Sequence, residues 1–165
     1  MRNNMSEAPL EKVTVTVNGK DLVLDPENMK FNEFTLSEYM DKEYAWIDYF
    51  GKQLELATKE LALAELAYET KFNEIFIETK DGGGSDTYGK AKAQSHPDCV
   101  VLHQAVIDRK SVVGFLKSHL KAWDRNHDNA QNRGHTLRKE LDKLNKDIYH
   151  KKDDGLCEAE DFLGK

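Results

Sequence analysis

The chain has 165 residues, enough for one domain with a core of its own, and a formal net charge of −6 that argues against wholesale coating of nucleic acid. Charged residues make up 33% and apolar residues 39%, less apolar than the ~45–50% of an average globule, which favours an elongated shape. No apolar run approaches membrane-spanning length and the start is polar, so we expect a soluble, intracellular protein.

Residues 11–24 carry the pattern of a β-hairpin. Three valines alternate with threonines in VTVTV and are followed by Asn18-Gly19, a pair that readily adopts the positive φ angles of a two-residue turn. A lone hairpin is marginally stable in water, so this one is expected to pack against the rest of the chain. Residues 1–10 before it are expected to be disordered.

A long helix is predicted from Thr35 to about Thr79. This stretch contains no proline and only Gly51 as a breaker, and Thr35 with Glu38 has the pattern of a capping box. Such a helix should carry a coiled-coil-like seam, because apolar residues recur every seven positions with a second set between them. The seam residues are Met40, Ile47, Leu54, Leu61, Tyr68 and Ile75, with Phe50, Ala57 and Ala64.

A second long helix is predicted from SHPD onwards, with Pro97 in its first turn and Ser95 as its cap. Its seam, from Cys99 to Ile148, is apolar at 12 of 15 heptad positions. The exceptions are Arg109, His127 and Gly134. The polar stretch around Gly134 leaves open whether the helix bends or ends there, and residues 151–165 are expected to form an acidic tail.

The fold class predicted is mainly α: two long antiparallel helices forming a coiled-coil-like helical hairpin over residues 25–150, with a small N-terminal β-hairpin. A helix of about 45 residues is ~68 Å long, whereas a compact chain of this length is only ~40 Å across. Each helix can bury only one apolar stripe against the other. We therefore expect the remaining apolar side chains to be covered by further copies of the chain. The oligomer interface is predicted to include Trp46, Tyr49, Phe50, Leu56, Leu63, Phe72, Phe76 and Trp123.

The connector between the helices, DGGGSDTYGKA, resembles part of a nucleotide-binding loop, with Gly84, Gly89 and Lys90 at suitable spacing. A working loop also needs a preceding strand, a Ser or Thr after the lysine, and a helix whose amides point at the phosphates. Ala91 follows the lysine, and a long helix precedes the loop. We therefore interpret residues 80–94 as a flexible connector that begins with a glycine helix cap.

Few residues suggest catalysis or metal binding. Cys99 and His103 stand four apart but lack a third ligand, and Cys99 and Cys157 have no C-x-x-C partner. Asp124, His127 and Asp128 are interpreted as a solvated patch. The sequence therefore predicts a protein that is not an enzyme and that uses no metal or cofactor.

Basic residues are concentrated in one part of the chain. Residues 109–152 carry 12 basic and 5 acidic groups, whereas residues 1–100 carry 11 basic and 19 acidic groups. On a continuous helix many of the basic residues fall on one side, which is either a solvated face or, repeated around an oligomer, a track for a single nucleic-acid strand. The candidate DNA-binding residues on this helix are Lys110, Lys117, Lys121, Arg125, Arg133, Arg138 and Lys139. Those near the connector are Tyr88, Lys90 and Lys92, with Tyr88 as a stacking ring.

The order of these features resembles the UvsY-like recombination mediators of tailed phages over roughly residues 22–146. The resemblance is carried by LVLDPENMKF, the aromatic start EYAWIDYF, the connector KDGGGSD, and NRGHTLRK. It implies a helical protein in a homo-oligomeric ring, without catalytic chemistry, in the cytoplasm of the infected bacterial host. Its partners would be single-stranded DNA, the single-strand-binding protein and a RecA-like recombinase. Basic residues at the end of the first helix would contact DNA, a place occupied here by Lys71 and Lys80.

The leading hypothesis is thus a recombination mediator that binds single-stranded DNA and takes part in DNA repair and replication. The alternative is an oligomeric helical scaffolding protein with no affinity for nucleic acid, and an ATPase is the third possibility. The N-terminal hairpin lies outside the resemblance and is interpreted as an edge at which a partner docks.

Overall fold

The computed structural model describes residues 11–160, with side chains described for residues 11–147. The elements in chain order are strands β1 (Val13–Val17) and β2 (Lys20–Leu24), a 3₁₀ turn (Pro26–Met29), and helices α1 (Leu36–Asp81), α2 (Asp86–Ser95) and α3 (Pro97–Glu160). The predicted, mainly helical chain with a small N-terminal sheet is confirmed. Residues 1–10, which are expected to be disordered, lie outside the described residues. So do residues 161–165, the last five of the predicted tail.

The N-terminal hairpin forms as the sequence predicts. Asn18 and Gly19 have φ angles of 50° and 70°, as a two-residue turn requires, and the register places Val17 opposite Lys20. One face of the sheet is buried in the main core with both long helices, through Val15, Val17, Leu22 and Leu24. The hairpin is therefore held by the helical hairpin beneath it.

The start of α1 is capped differently from the prediction. The side-chain carbonyl of Asn32 accepts hydrogen bonds from the N–H groups of Phe34 and Thr35 at 2.9 and 3.0 Å. The hydroxyl of Thr35 accepts in return from the N–H of Asn32 at 2.9 Å. Glu38, the expected partner of Thr35, instead pairs with Lys42 one turn on. The predicted capping box is wrong because Asn32, three residues earlier, satisfies these amides.

Helices α1 and α3 pack antiparallel, and the three exceptions in the α3 seam mark specific contacts between them. Arg109 Nη1 lies 2.8 Å from Glu60 Oε2, and His127 Nδ1 lies 2.7 Å from Glu43 Oε2. At Gly134 an added Cβ would meet the side chain of Leu36 at 4.0 Å. The non-apolar seam positions are thus one ion pair, one carboxylate–imidazole contact and a glycine that faces the start of α1.

Helix α3 runs without interruption through Gly134 and reaches Glu160, so it neither ends nor restarts at the polar stretch. Because α1 begins beside Gly134 and Leu137 still packs against the core, about 23 residues of α3 extend past the helical hairpin, ~35 Å at 1.5 Å per residue. We call residues 138–160 the α3 extension. Its Leu141 and Leu144 are 62% and 61% exposed. Part of the predicted acidic tail, residues 151–160, is helical.

The connector is more ordered than the sequence suggests. Gly82 caps α1, as predicted, and Gly83 has φ 86°, but helix α2 occupies most of the segment interpreted as flexible. The hydroxyl of Ser85 caps α2 by accepting from the N–H of Tyr88 at 3.3 Å. At the next helix the ring Nδ1 of His96, rather than Ser95, accepts from the N–H of Asp98 at 3.3 Å.

Two glycines of the connector lie where a side chain would be crowded. A Cβ on Gly84 would lie 2.8 Å from the carbonyl oxygen of Thr79, and one on Gly89 would lie 3.0 Å from the ring of Phe76. We expect Gly84→Ala to lower the free energy of unfolding by about 1–3 kcal/mol, because backbone atoms must move. Gly114→Ala is the matched control: it meets nothing within 4 Å inside α3 and should stabilise by about 0.5–1 kcal/mol. Urea denaturation of both variants measures the difference.

Candidate nucleic-acid interface

The strongest candidate surface is a row of three cations on the outer side of α3. Lys117, Lys121 and Arg125 are exposed and four residues apart, so they lie on one side of the helix. Leu116 and Trp123 of the same helix are buried in the core and fix its rotation. Within residues 11–147 these three cations make no hydrogen bond or ion pair. We call them the lysine row.

Two other predicted α3 cations form ion pairs, one with an acidic residue of α1 and one with an acidic residue just before α1. Lys110 Nζ lies 3.2 Å from Glu65, and Arg133 forms a close ion pair with Glu33. Exposed pairs of this kind contribute only about 0–1 kcal/mol, so a phosphate can compete for the cation. Asp124 and Asp128 lie among the lysine row and reduce its positive potential.

The α3 extension carries more positive charge. Arg138 and Lys139 are exposed, and they are followed by Lys143 and Lys146, also exposed. None of the four has an ion pair with residues 11–147. The basic surface thus extends along α3 from the helical hairpin to the protruding segment.

A second basic group lies at the opposite end, around α2. Tyr88 is 58% exposed, and Lys90 and Lys92 are exposed beside it without an ion pair to the described side chains. Lys71 and Lys80, the two residues predicted to contact DNA at the end of α1, differ from Lys90 and Lys92 because both have acidic partners. Lys71 lies 3.2 Å from Glu74 and 3.9 Å from Asp98, contacts that raise its pKa, and Lys80 is paired with Asp86. The structure therefore uses these two lysines in intramolecular ion pairs.

The glycine-rich connector does not have the geometry of a nucleotide-binding loop. It follows helix α1 rather than a strand, and the backbone is helical from Asp86, so Gly89 and Lys90 lie within α2. Gly89 is explained by packing, since it lets α2 approach the ring of Phe76. The amides of residues 88–90 are used inside or at the cap of α2 and cannot surround a phosphate.

Cys99 is part of a small second core. It is 1% exposed and packs with Ile75 and Ala93, and burial raises the pKa of its thiol. His103, the other member of the predicted pair, contacts the ring of Tyr68 with centroids 5.2 Å apart. In the described part of the chain, no three His, Cys, Asp or Glu side chains are grouped as a metal site would require.

A buried polar network, which the sequence analysis missed, joins α1 to α3. Glu43 is fully buried; its Oε1 accepts from the Tyr39 hydroxyl at 3.1 Å, and its Oε2 lies 2.7 Å from His127 Nδ1. The other ring nitrogen of His127 lies 2.7 Å from Gln131 Nε2. With Nδ1 protonated, the imidazole donates to the carboxylate, so the buried charge has two donors.

The same network holds the segment that leads into α1. The amide of Asn126 donates to the Tyr39 hydroxyl at 3.0 Å and to the backbone carbonyl of Met29. Burial, together with the nearby Glu43 carboxylate, raises the pKa of Tyr39 to about 12, so the phenol stays a donor. Asn126 thereby connects the 3₁₀ turn, α1 and α3 through hydrogen bonds.

The position of His127 corrects one interpretation of the sequence. His127 belongs to this network and not to a solvated patch with Asp124 and Asp128, although both aspartates are exposed as expected. A signal was present: Glu43 stands seven residues before Phe50, on the α1 seam, and His127 is an exception on the α3 seam. Charged groups on both seams of an antiparallel pair indicate a buried contact.

The residues of the predicted oligomer interface fall into three groups by exposure. Phe50 and Trp123 are 3% and 1% exposed, so they belong to the core of the single chain and are not available to a second copy. Phe72 and Phe76 are half-buried near α2. The exposed members, which all lie on α1, are Trp46, Tyr49, Leu56 and Leu63.

Within residues 11–160, no helix is both long and apolar enough to cross a membrane. Comparison of the chain with protein-family models, with curated proteins and with solved structures gave no match.

Proposed function

We propose that the chain is an oligomeric, non-enzymatic recombination mediator that binds single-stranded DNA. In this role it helps to load a RecA-like recombinase onto DNA covered by single-strand-binding protein. The motif order that resembles the UvsY-like mediators supports the assignment, and the basic surface of α3 supplies the chemistry. DNA repair and replication in a phage-infected cell would be the setting.

The observation that carries the proposal is the lysine row. Three solvent-facing cations, without acidic partners among the described side chains, would attract a polyanion even though the net charge of the chain is −6. Phosphate contacts carry no sequence information, so binding should be nearly independent of sequence. Repetition of the row around an oligomer would multiply its potential.

We expect a labelled oligonucleotide to bind at low salt and to dissociate steeply as the salt concentration rises, because binding releases counterions from the strand. Reversing the charge of Lys117, Lys121 and Arg125 together should reduce the slope of log K against log salt by about 2, since each lost single-strand phosphate contact removes about 0.7. Fluorescence anisotropy at several salt concentrations measures both quantities.

The matched control reverses Lys42, Lys52 and Lys59 on α1, which changes the net charge of the chain by the same amount. This control should keep most of the affinity. Equal losses in the two triple variants would assign the effect to net charge and remove the lysine row from the proposal. An absence of binding by the unmodified chain at low salt would refute the DNA-binding function itself.

The alternative is a helical scaffolding protein whose basic residues serve solubility. The exposed leucines of the α3 extension and the exposed apolar residues of α1 favour it, because assembly alone would explain both. It expects oligomers that have no affinity for DNA. Light scattering with and without an oligonucleotide separates the two functions.

A further inference from the structure

Strand β1 has a free edge that lies beside α3. In a two-residue hairpin the closing pair is hydrogen-bonded and the pattern alternates, so Thr14 and Thr16, opposite Val23 and Asp21, direct their backbone N–H and C=O groups away from β2. Within residues 11–160 these groups have no hydrogen-bond partner. They form a row of donors and acceptors at the edge of the sheet.

A groove runs along this edge. Its volume is about 460 Å³, and its walls are β1 on one side and α3 on the other, with Ala105, Val112 and Phe115 among the lining residues. Phe115 is 48% exposed. A strand edge beside an apolar helix is the arrangement by which extended peptides add to a sheet, with backbone hydrogen bonds on one side and side-chain contacts on the other.

The two edges of the sheet differ in how they are protected. β2 carries Lys20 and Asp21, and charged side chains on an edge oppose pairing with other strands. β1 reads VTVTV, with no charge, proline or bulge among its residues. Such an edge can pair with another strand, and Ala105, Val112 and Phe115 of α3 provide apolar contacts for an added strand.

The groove contains one carboxylate without a cationic partner among the described side chains. Asp108 lines it near the turn end of β1 and accepts a hydrogen bond only from Gln104, at 2.9 Å. Arg109, the neighbouring cation, is engaged by Glu60, which also accepts from the backbone N–H of Asn18 in the turn at 2.7 Å. Charge complementarity therefore favours a basic side chain next to an apolar strand.

Each β1 lies beside its own α3, so pairing two copies through β1 would bring both α3 helices to the shared edge, whereas an extended peptide brings no helix with it. We propose that the groove binds an extended peptide of a partner protein, apolar or β-branched at alternate positions and basic at the end beside Asp108, which adds as a third strand to β1. This site is independent of the proposed DNA binding, since the lysine row points to another side of α3.

The probe is a labelled nine-residue peptide in which valine alternates with threonine and each end carries a lysine, so that either strand direction presents a cation to Asp108. We expect it to bind the full chain and to slow amide hydrogen exchange at Thr14 and Thr16. Thr14→Pro, which removes an outward N–H that β2 does not use, should weaken binding roughly tenfold. Thr14→Ala keeps that N–H and should leave the affinity within about twofold.

Two further binding measurements test the inference even if Thr14→Pro disturbs the hairpin. A peptide with N-methyl groups on the amides that face β1 keeps its side chains but loses its donors, and it should not bind. Asp108→Asn should reduce the affinity at low salt only. The inference is overturned if the unmodified peptide fails to bind at millimolar concentration, or if the N-methylated peptide binds as well as the parent.

Discussion

Replacing His127 by alanine is expected to lower the free energy of unfolding by about 3–5 kcal/mol, because it leaves a buried carboxylate without one of its partners. Glu43 is fully buried, and His127 Nδ1, at 2.7 Å, is one of its two side-chain donors. Without the imidazole the carboxylate keeps its desolvation cost and loses half of its compensation. Urea denaturation followed by circular dichroism at neutral pH gives the value.

The controls separate loss of the pair from loss of packing. Gln131→Ala removes only the exposed hydrogen bond to the far side of the ring, so it should cost less than about 1 kcal/mol. Replacing Glu43 and His127 together by leucine should recover most of the loss, because two apolar side chains leave no buried charge. If His127→Ala proves as mild as Gln131→Ala, the carboxylate is not held as the structure indicates.

Much of the architecture is local in origin and could be read from the sequence. Alternation and Asn18-Gly19 specify the hairpin, and the seven-residue spacing specifies α1 and α3, because each signal lies within a few residues of the element it forms. A glycine cap within residues 82–84 was predicted for the same reason. These predictions did not depend on tertiary contacts.

The differences arise where distant residues meet. Helix α2 was interpreted as a flexible connector because glycines are poor helix formers, yet Gly89 is needed for the contact with Phe76 and Ala93 is fully buried there. Phe50 and Trp123 were assigned to an intermolecular surface because the sequence does not say how the hairpin and both helices share one core. Their burial is a tertiary effect.

The candidate basic surface was only partly predictable. The concentration of positive charge on the second helix followed from the sequence, but the ion pairs of Lys71, Lys80, Lys110 and Arg133 depend on acids brought near by the fold. The ion pairs that distinguish these four residues from the lysine row can therefore be seen only in the structure. The groove beside β1 likewise needed the docking of the hairpin on α3.

Substituting glutamate for both Leu141 and Leu144 is expected to reduce the proposed oligomer to smaller species while leaving each chain folded. The two leucines continue the α3 seam past Gly134, beyond the first residue of α1, so each is about 60% exposed in the single chain. A seam of this spacing is buried when helices of different copies pack together, and burying a leucine contributes about 1.5–3 kcal/mol. Light scattering measures the mass, and thermal unfolding shows whether the chain is folded.

As a control, glutamate at Lys139 and Lys143, on the polar side of the same segment, should leave the mass unchanged. An unchanged mass in the leucine variant would show that copies associate elsewhere, and the exposed residues Tyr49, Leu56 and Leu63 of α1 would be tested next by the same substitution.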